Sequence, residues 1–159
     1  MSVPYILEAG ESLWAMSAGG PRAGFLVRGS DSGERLLVLH FDAPAGFLGP
    51  ARHLHRDVDE GFLVLEGKLR VAVGDDRHDL TAGAFAWVPG GVPHGFANVS
   101  DAPARFLCLV APPGQLEAMF HEIADYVVEL DGPPDPERMA EINRRHGVEI
   151  VGPPVGTEG

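Results

Sequence analysis

From Arg22 to Ala111 the chain is a succession of short apolar runs punctuated by glycine, proline and aspartate. AGFLVRG, RLLVLHF, GFLVLEG, KLRVAVG, AFAWVPGG, HGFANVS and ARFLCLVAP recur at the roughly 8 to 12 residue spacing of an antiparallel sandwich or barrel. SDSG before Glu34 reads as a hairpin connection. Gly67 suits the positive φ of a second hairpin turn, between Phe62–Leu65 and Leu69–Val73. The pattern predicts an all-β core over about residues 22–111.

Past Gly114 the period changes. QLEAMFHEIADYVVEL repeats Leu116, Phe120, Ile123 and Val127 at intervals of three and four, the spacing of an amphipathic helix that packs on the core. DGPPDPERMAEINRRHG supplies Asp135 as N-cap, Pro136 at the first helical position, Glu137 in the first turn, Arg144 and Arg145 in the last, and Gly147 as terminator. A second short helix is expected, giving a helical extension over about 114–147. The closing VGPPVGTEG has little to bury and is expected to lie on the surface or fray. With no internal repeat, residues 1–159 read as a single domain.

Charge and cysteine usage narrow the function classes. The chain has 12 Lys plus Arg against 23 Asp plus Glu, a net charge of −11 that repels a phosphate backbone and an anionic bilayer, so neither nucleic acid nor membrane is an expected partner. The N-terminal MSVPYILEAGESLW has no basic segment and no long apolar stretch, so no signal peptide or membrane span is read there. One cysteine, Cys108 within an apolar run, reads as a small buried hydrophobe, and a reducing cytoplasm fits.

The stretch HLHRDVDE, His53 to Glu60, carries the chemistry. On a strand His53 and His55 share a face, which describes either a solvated strand end or half of a metal site. Glu60 shares a strand face with Phe62 and Val64, and a hairpin would bring it to the two histidines. His94 opens a later strand with Phe96 and Asn98 on its own face. Three imidazoles and one carboxylate without thiolate suit one divalent transition metal ion, among Fe, Mn, Ni, Co, Cu and Zn, and leave positions open for substrate, water or O₂. Asp57 and Asp59 read as solvated loop charges.

These residues resemble the cupin superfamily. Gly49 through His53, His55 and Glu60, with Gly67 seven residues on, is similar to the first cupin motif. Gly83, Pro89, Gly91, His94 and Asn98 are similar to the second, without insertion. One departure is Phe47, which stands where the first motif expects its leading glycine. The resemblance implies a double-stranded β-helix, or jelly-roll barrel, with the two short C-terminal helices appended, and a metal held by His53, His55, Glu60 and His94. A single domain with a helical C-terminal segment is similar to bacterial quercetinase-like cupins, which implies a dioxygenase in which Glu60 takes a proton from the substrate.

Phe62, Val64 and Phe96 share faces with the proposed ligands, so an apolar, aromatic small-molecule pocket is expected. Asn98 is placed at the barrel mouth, as a pocket residue or as one that bonds backbone there. His40 either faces the cavity or is a hydrogen-bonded structural histidine. Two alternatives to an oxygenase remain on these residues: a metal-dependent isomerase or cyclase of an aromatic or polyketide-like compound, and a non-catalytic ligand-binding protein. Leu63 and Leu65 lie opposite Glu60 by parity and need covering, and the resemblance favours a homodimer.

Overall fold

A computed structural model describes residues 3–17 and 21–157. Eleven strands form two antiparallel sheets. They are β1 (Trp14–Met16), β2 (Arg22–Val27), β3 (Leu37–Ala43), β4 (Ala51–His55), β5 (Asp59–Glu66), β6 (Lys68–Val73), β7 (Asp76–Thr81), β8 (Phe85–Val88), β9 (His94–Ala97), β10 (Ala104–Ala111) and β11 (Val148–Pro154). One sheet runs β1-β2-β3-β10-β5-β8 and the other β11-β4-β9-β6-β7. From β3 to β10 the chain crosses between sheets at every connection except the β6–β7 hairpin. This is the double winding of a jelly roll, and the all-β class expected from the apolar runs holds.

Strand alternation builds the core. Leu37, Leu39, Phe41 and Ala43 of β3 point inward, as do Phe106, Cys108 and Val110 of β10, in a register that sets Phe106 opposite Phe41. Those two rings stack at 4.9 Å and an interplanar angle of 3°. Phe25 and Phe62 are fully buried beside them, each contributing about 2–3 kcal/mol of burial free energy. Cys108 lies in this layer, and burial, followed by the nearby Glu60 charge, pushes its thiol well above the ordinary range. An inert packing role follows.

Two helices close the open side of the barrel. α2 (Leu116–Val128) buries Leu116, Met119 and Ile123 in the core, with Phe120 and Val127 partly buried against it. α3 (Pro136–Arg145) starts as its sequence predicts: the Asp135 carboxylate accepts from the Glu137 amide at 2.9 Å, and Gly147 ends the segment at φ +79°. A shorter helix, α1 (Gly29–Ser32), occupies the connection read as a plain SDSG hairpin; β2 and β3 still pair antiparallel around it.

Two further expectations are corrected. The β5–β6 connection at Gly67 is not a hairpin, because β5 belongs to the six-stranded sheet and β6 to the five-stranded one. Gly67 has φ +74°, and a Cβ there would sit 2.4 Å from the Pro103 carbonyl oxygen, so the crossing needs glycine. The C-terminal segment does not fray within the described residues. β11 pairs with β4, setting Val148 opposite His55 and Ile150 opposite His53. Val155 is fully buried in a cluster with Ala72 and Ala97. The reason is an exposed edge: β4 pairs with β9 only at His53 and His94, and its other side needs a partner for its backbone groups.

Candidate metal centre

Opposite sheets supply the site. His53 and His55 lie at the end of β4 and His94 begins β9, all on the five-stranded sheet, whereas Glu60 is the second residue of β5 on the six-stranded one. The four therefore meet across the barrel interior and not through a β4–β5 hairpin. One potential ligand atom from each lies within 4.8 Å of the others. The rings of His53 and His94 are 4.6 Å apart between centroids, and those of His55 and His94 are 5.4 Å apart.

Backbone contacts aim the imidazoles. His53 Nδ1 lies 2.8 Å from the Ala51 carbonyl oxygen and His94 Nδ1 lies 2.9 Å from that of Val92. A proton on each Nδ1 donates to that carbonyl, which leaves Nε2 with a lone pair for the centre. His94 Nε2 is 2.7 Å from Glu60 Oε2, and His55 Nε2 is 3.5 Å from Glu60 Oε1. The buried His55 Nε2 has no hydrogen-bond partner. A divalent cation satisfies that orphaned nitrogen and the clustered lone pairs together, so the donor set fits a transition metal.

The electrostatics have the same origin. Burial opposes ionisation of Glu60, but the His94 hydrogen bond and the charges of His94, His55 and His53 outweigh it and hold the carboxyl down to about 2. Burial, then repulsion from His94, lowers His53 to about 4. Burial also lowers His55. For His94 burial acts downward, yet the bond to Glu60 wins and raises it.

A contact not foreseen in the sequence reading joins the two motifs. Asp59, taken as a solvated charge, accepts from the Gly90 amide at 2.8 Å, and the Gly91 amide donates to the His55 carbonyl at 2.6 Å. The loop before His94 is thereby tied to both ends of the β4–β5 segment. The adjacency of Asp59 to Glu60 was the only sequence signal for it.

The expected pocket residues separate. Phe96 lines an apolar cavity of about 690 Å³, whose other walls include Phe41 and Phe47 from the barrel and Met119, Phe120 and Met139 from the helices. Phe62 and Val64 are fully buried core residues outside that lining. Phe62 stands between cavity and ligands, its ring 5.5 Å from Phe96 and 6.3 Å from His94. None of the four clustered residues lines the apolar cavity. Phe47, the departure from the motif's leading glycine, is one of its aromatic walls; parity reasoning missed it because Phe47 lies in a loop.

His40 and Asn98 are corrected as pocket residues. His40 alternates with the inward Leu39 and Phe41, so it lies on the outer face of the sheet, where Arg22 approaches its Nε2 at 3.3 Å. A Cβ on Gly24 would come within 2.7 Å of that nitrogen. Burial, then the Arg22 charge, lowers its pKa. Asn98 is fully buried as a turn clamp: its Nδ2 lies 3.1, 3.0 and 2.8 Å from the carbonyls of Ala43, Pro44 and Ala102, and its Oδ1 accepts from Ser100. Its hydrogen-bonding capacity is spent on the loop.

Fold, motif and site together are those of a cupin barrel. Residues 39–110, a little under half of the chain, match the family described as Cupin domain. The quercetin 2,3-dioxygenase of Bacillus subtilis (strain 168) is 32% identical over 94 residues, which is 59% of this chain and 27% of that protein. The chain thus spans about a quarter of that relative's length. A protein with a double-stranded β-helix domain from Klebsiella pneumoniae is 25% identical, with TM-score 0.52, covering 60% of this chain and 80% of that one. The polyketide cyclase of Streptomyces resistomycificus, at 20% identity and TM-score 0.59 over 69% of this chain and 80% of that one, shares the fold. No described helix is long and apolar enough to cross a membrane.

Proposed function

We propose that this protein is a metal-dependent dioxygenase acting on an aromatic, flavonol-like small molecule. The observation that carries the reading is a buried cluster of three imidazoles and one carboxylate with the Phe62 ring packed beside it and Phe96 next to Phe62. The similarity to a quercetin 2,3-dioxygenase supports the same class.

His53, His55, Glu60 and His94 would hold the ion. When bound, it supplies Lewis acidity and a template that orients substrate and O₂. Glu60 is the one member with a second oxygen, and that oxygen accepts the proton of a substrate hydroxyl while the first stays in the ligand set. The Ala51 and Val92 carbonyls keep His53 and His94 in the ligating tautomer. Phe62 and Phe96 keep the side of the cluster that faces the apolar cavity dry.

We also propose that the working form is a homodimer. On the outer face of the six-stranded sheet Leu65, Phe85 and Trp87 are 49%, 53% and 49% exposed, and Phe85 and Trp87 lie over Gly61. In a chain of net charge −11 this uncharged patch is where two copies approach at least electrostatic cost. Sedimentation giving only monomer at micromolar concentration refutes the dimer.

The test of the reaction is the near-visible absorbance of quercetin, followed with and without O₂, using protein reconstituted separately with Fe, Mn, Ni, Co, Cu and Zn. Loss of absorbance only when both O₂ and one of these ions are present is expected. Conversion that continues without O₂ replaces the oxygenase with an isomerase or cyclase. Failure to turn over quercetin or related flavonols with every ion refutes the substrate class.

A further inference from the structure

The apolar cavity shares no lining residue with the metal ligand set. Its floor is the barrel itself, through the buried rings of Phe41 and Phe96. Its sides are α2, through Met119 and Ile123, α3, through Met139, and the loop between β3 and β4.

Contacts outside the cavity hold these walls apart. α2 is fixed by the buried Leu116 and α3 by Ile142, which is fully buried. The loop is pinned at three backbone points: the Gly46 amide donates to the Ser100 carbonyl at 3.1 Å, the Asn98 amide to that of Phe47 at 2.9 Å and the Gly156 amide to that of Leu48 at 2.9 Å. The space of about 690 Å³ therefore belongs to the scaffold and is not slack that one side chain can take up. It is preformed and of the size of small-molecule sites.

The lining dictates the chemistry of an occupant. Among the described residues that form it there is no Lys, Arg, His, Asp or Glu, in a chain that is 22% charged. An ionised group buried there would have no partner, so the occupant is uncharged. A peptide segment is equally ill-suited, because its backbone N–H and C=O groups would be buried against carbon. Three of the chain's four methionines, Met16, Met119 and Met139, line the cavity beside four phenylalanines. Unbranched, polarisable thioethers adapt to the outline of a ring system and contact its edges favourably. Asn143 is the one polar side chain among the described lining residues. Its Nδ2 donates to the Met139 carbonyl at 2.7 Å, which leaves Oδ1 as an acceptor.

We propose that this cavity is a metal-independent site for an uncharged ring compound that carries one hydrogen-bonding group, met by the Asn143 amide. The site goes beyond the oxygenase reading and does not depend on it, since its walls include none of His53, His55, Glu60 and His94.

Two fluorophores test it: N-phenylnaphthylamine, which is uncharged and has a single N–H, and anilinonaphthalenesulfonate, the same ring skeleton bearing a sulfonate. Each is titrated into the full chain, metal-loaded and after chelation. The neutral probe is expected to saturate at one per chain, with equal affinity in both forms and at least about tenfold tighter than the sulfonate. In methionine-methyl NMR spectra the signals of Met16, Met119 and Met139 should shift together. Asn143→Asp, which sets a negative charge in the lining at unchanged size, should weaken the neutral probe about tenfold. No saturable binding of the neutral probe, equal or tighter binding of the sulfonate, binding that vanishes with the metal, or an unaffected Asn143→Asp each overturns the site. So does a shifted Trp87 indole signal with unmoved methionine methyls, which places the probe on the outer-face patch. Affinity that falls as protein concentration rises would mean that a second copy fills the cavity, and overturns it too. The pair of probes on the unaltered protein decides the matter even where Asn143→Asp fails to fold.

Discussion

Replacing Glu60 by Gln in the chelated protein measures what the buried carboxylate contributes before any ion is present. Glu60 is buried, bonded to His94 at 2.7 Å and held down to about 2 from an ordinary 4.5. That depression corresponds to about 3 kcal/mol favouring the ionised, folded state at neutral pH. Gln keeps the shape and an oxygen but no charge. In urea unfolding near pH 6 the variant should therefore be less stable by up to about 3 kcal/mol, discounted by whatever the neutral amide recovers in hydrogen bonding. The sign follows from both partners. A carboxyl with a depressed folded pKa stabilises above its unfolded value, so the gap between wild type and variant should shrink as pH falls from about 4.5 toward 2. The raised pKa of His94 makes its contribution complete below its unfolded value of 6.5 and lost as pH rises through the folded value, so the gap should shrink on the alkaline side too. The assay is the difference in unfolding free energy at a series of pH values with chelator present. A flat difference, or a variant as stable as wild type near pH 6, refutes the coupled pair.

His94→Ala should leave a folded barrel by circular dichroism yet lose most of its bound metal by elemental analysis, whereas His78→Ala, on the exposed strand β7, should keep it. Full occupancy in the first variant removes His94 from the ligand set. Deleting residues 148–159 uncovers the β4 edge that carries His53 and His55, so it should lower both stability and metal retention; retention equal to wild type would show that β11 is dispensable for the site. Gly49→Ala places a Cβ 1.7 Å from the Phe96 carbonyl oxygen at a φ of +86°. It should cost at least about 2 kcal/mol in urea unfolding and disturb the apolar cavity, and a neutral result would mean that the loop moves freely.

Much of the site was legible because its signals are local. Alternation on one strand puts His53 and His55 on a common face, and a capping residue followed by proline starts a helix at Pro136 whatever surrounds it. The same local periodicity puts Leu39 and Phe41 on one face of β3 and His40 on the other, but parity has no sign: it says which residues share a face and not which face is inside. Packing against Phe106 and Phe25 decided that. Asn98 shows the same limit, since its spacing marks a loop but its five side-chain hydrogen bonds reach four residues, Ala43, Pro44, Ser100 and Ala102.

By itself the amino-acid sequence determined the strand periodicity, the helix starts and stops, and the identity and spacing of four donor side chains. Tertiary structure alone decided that Glu60 faces the histidines from the opposite sheet, because sheet membership depends on which edges find partners and not on any one strand's pattern. It likewise converted a proline-rich tail into the strand that covers β4, since an unpaired edge makes pairing favourable for residues with little apolar surface of their own. The apolar cavity belongs wholly to that level: it is space left where helices, a loop and strands distant in the chain fail to close on one another.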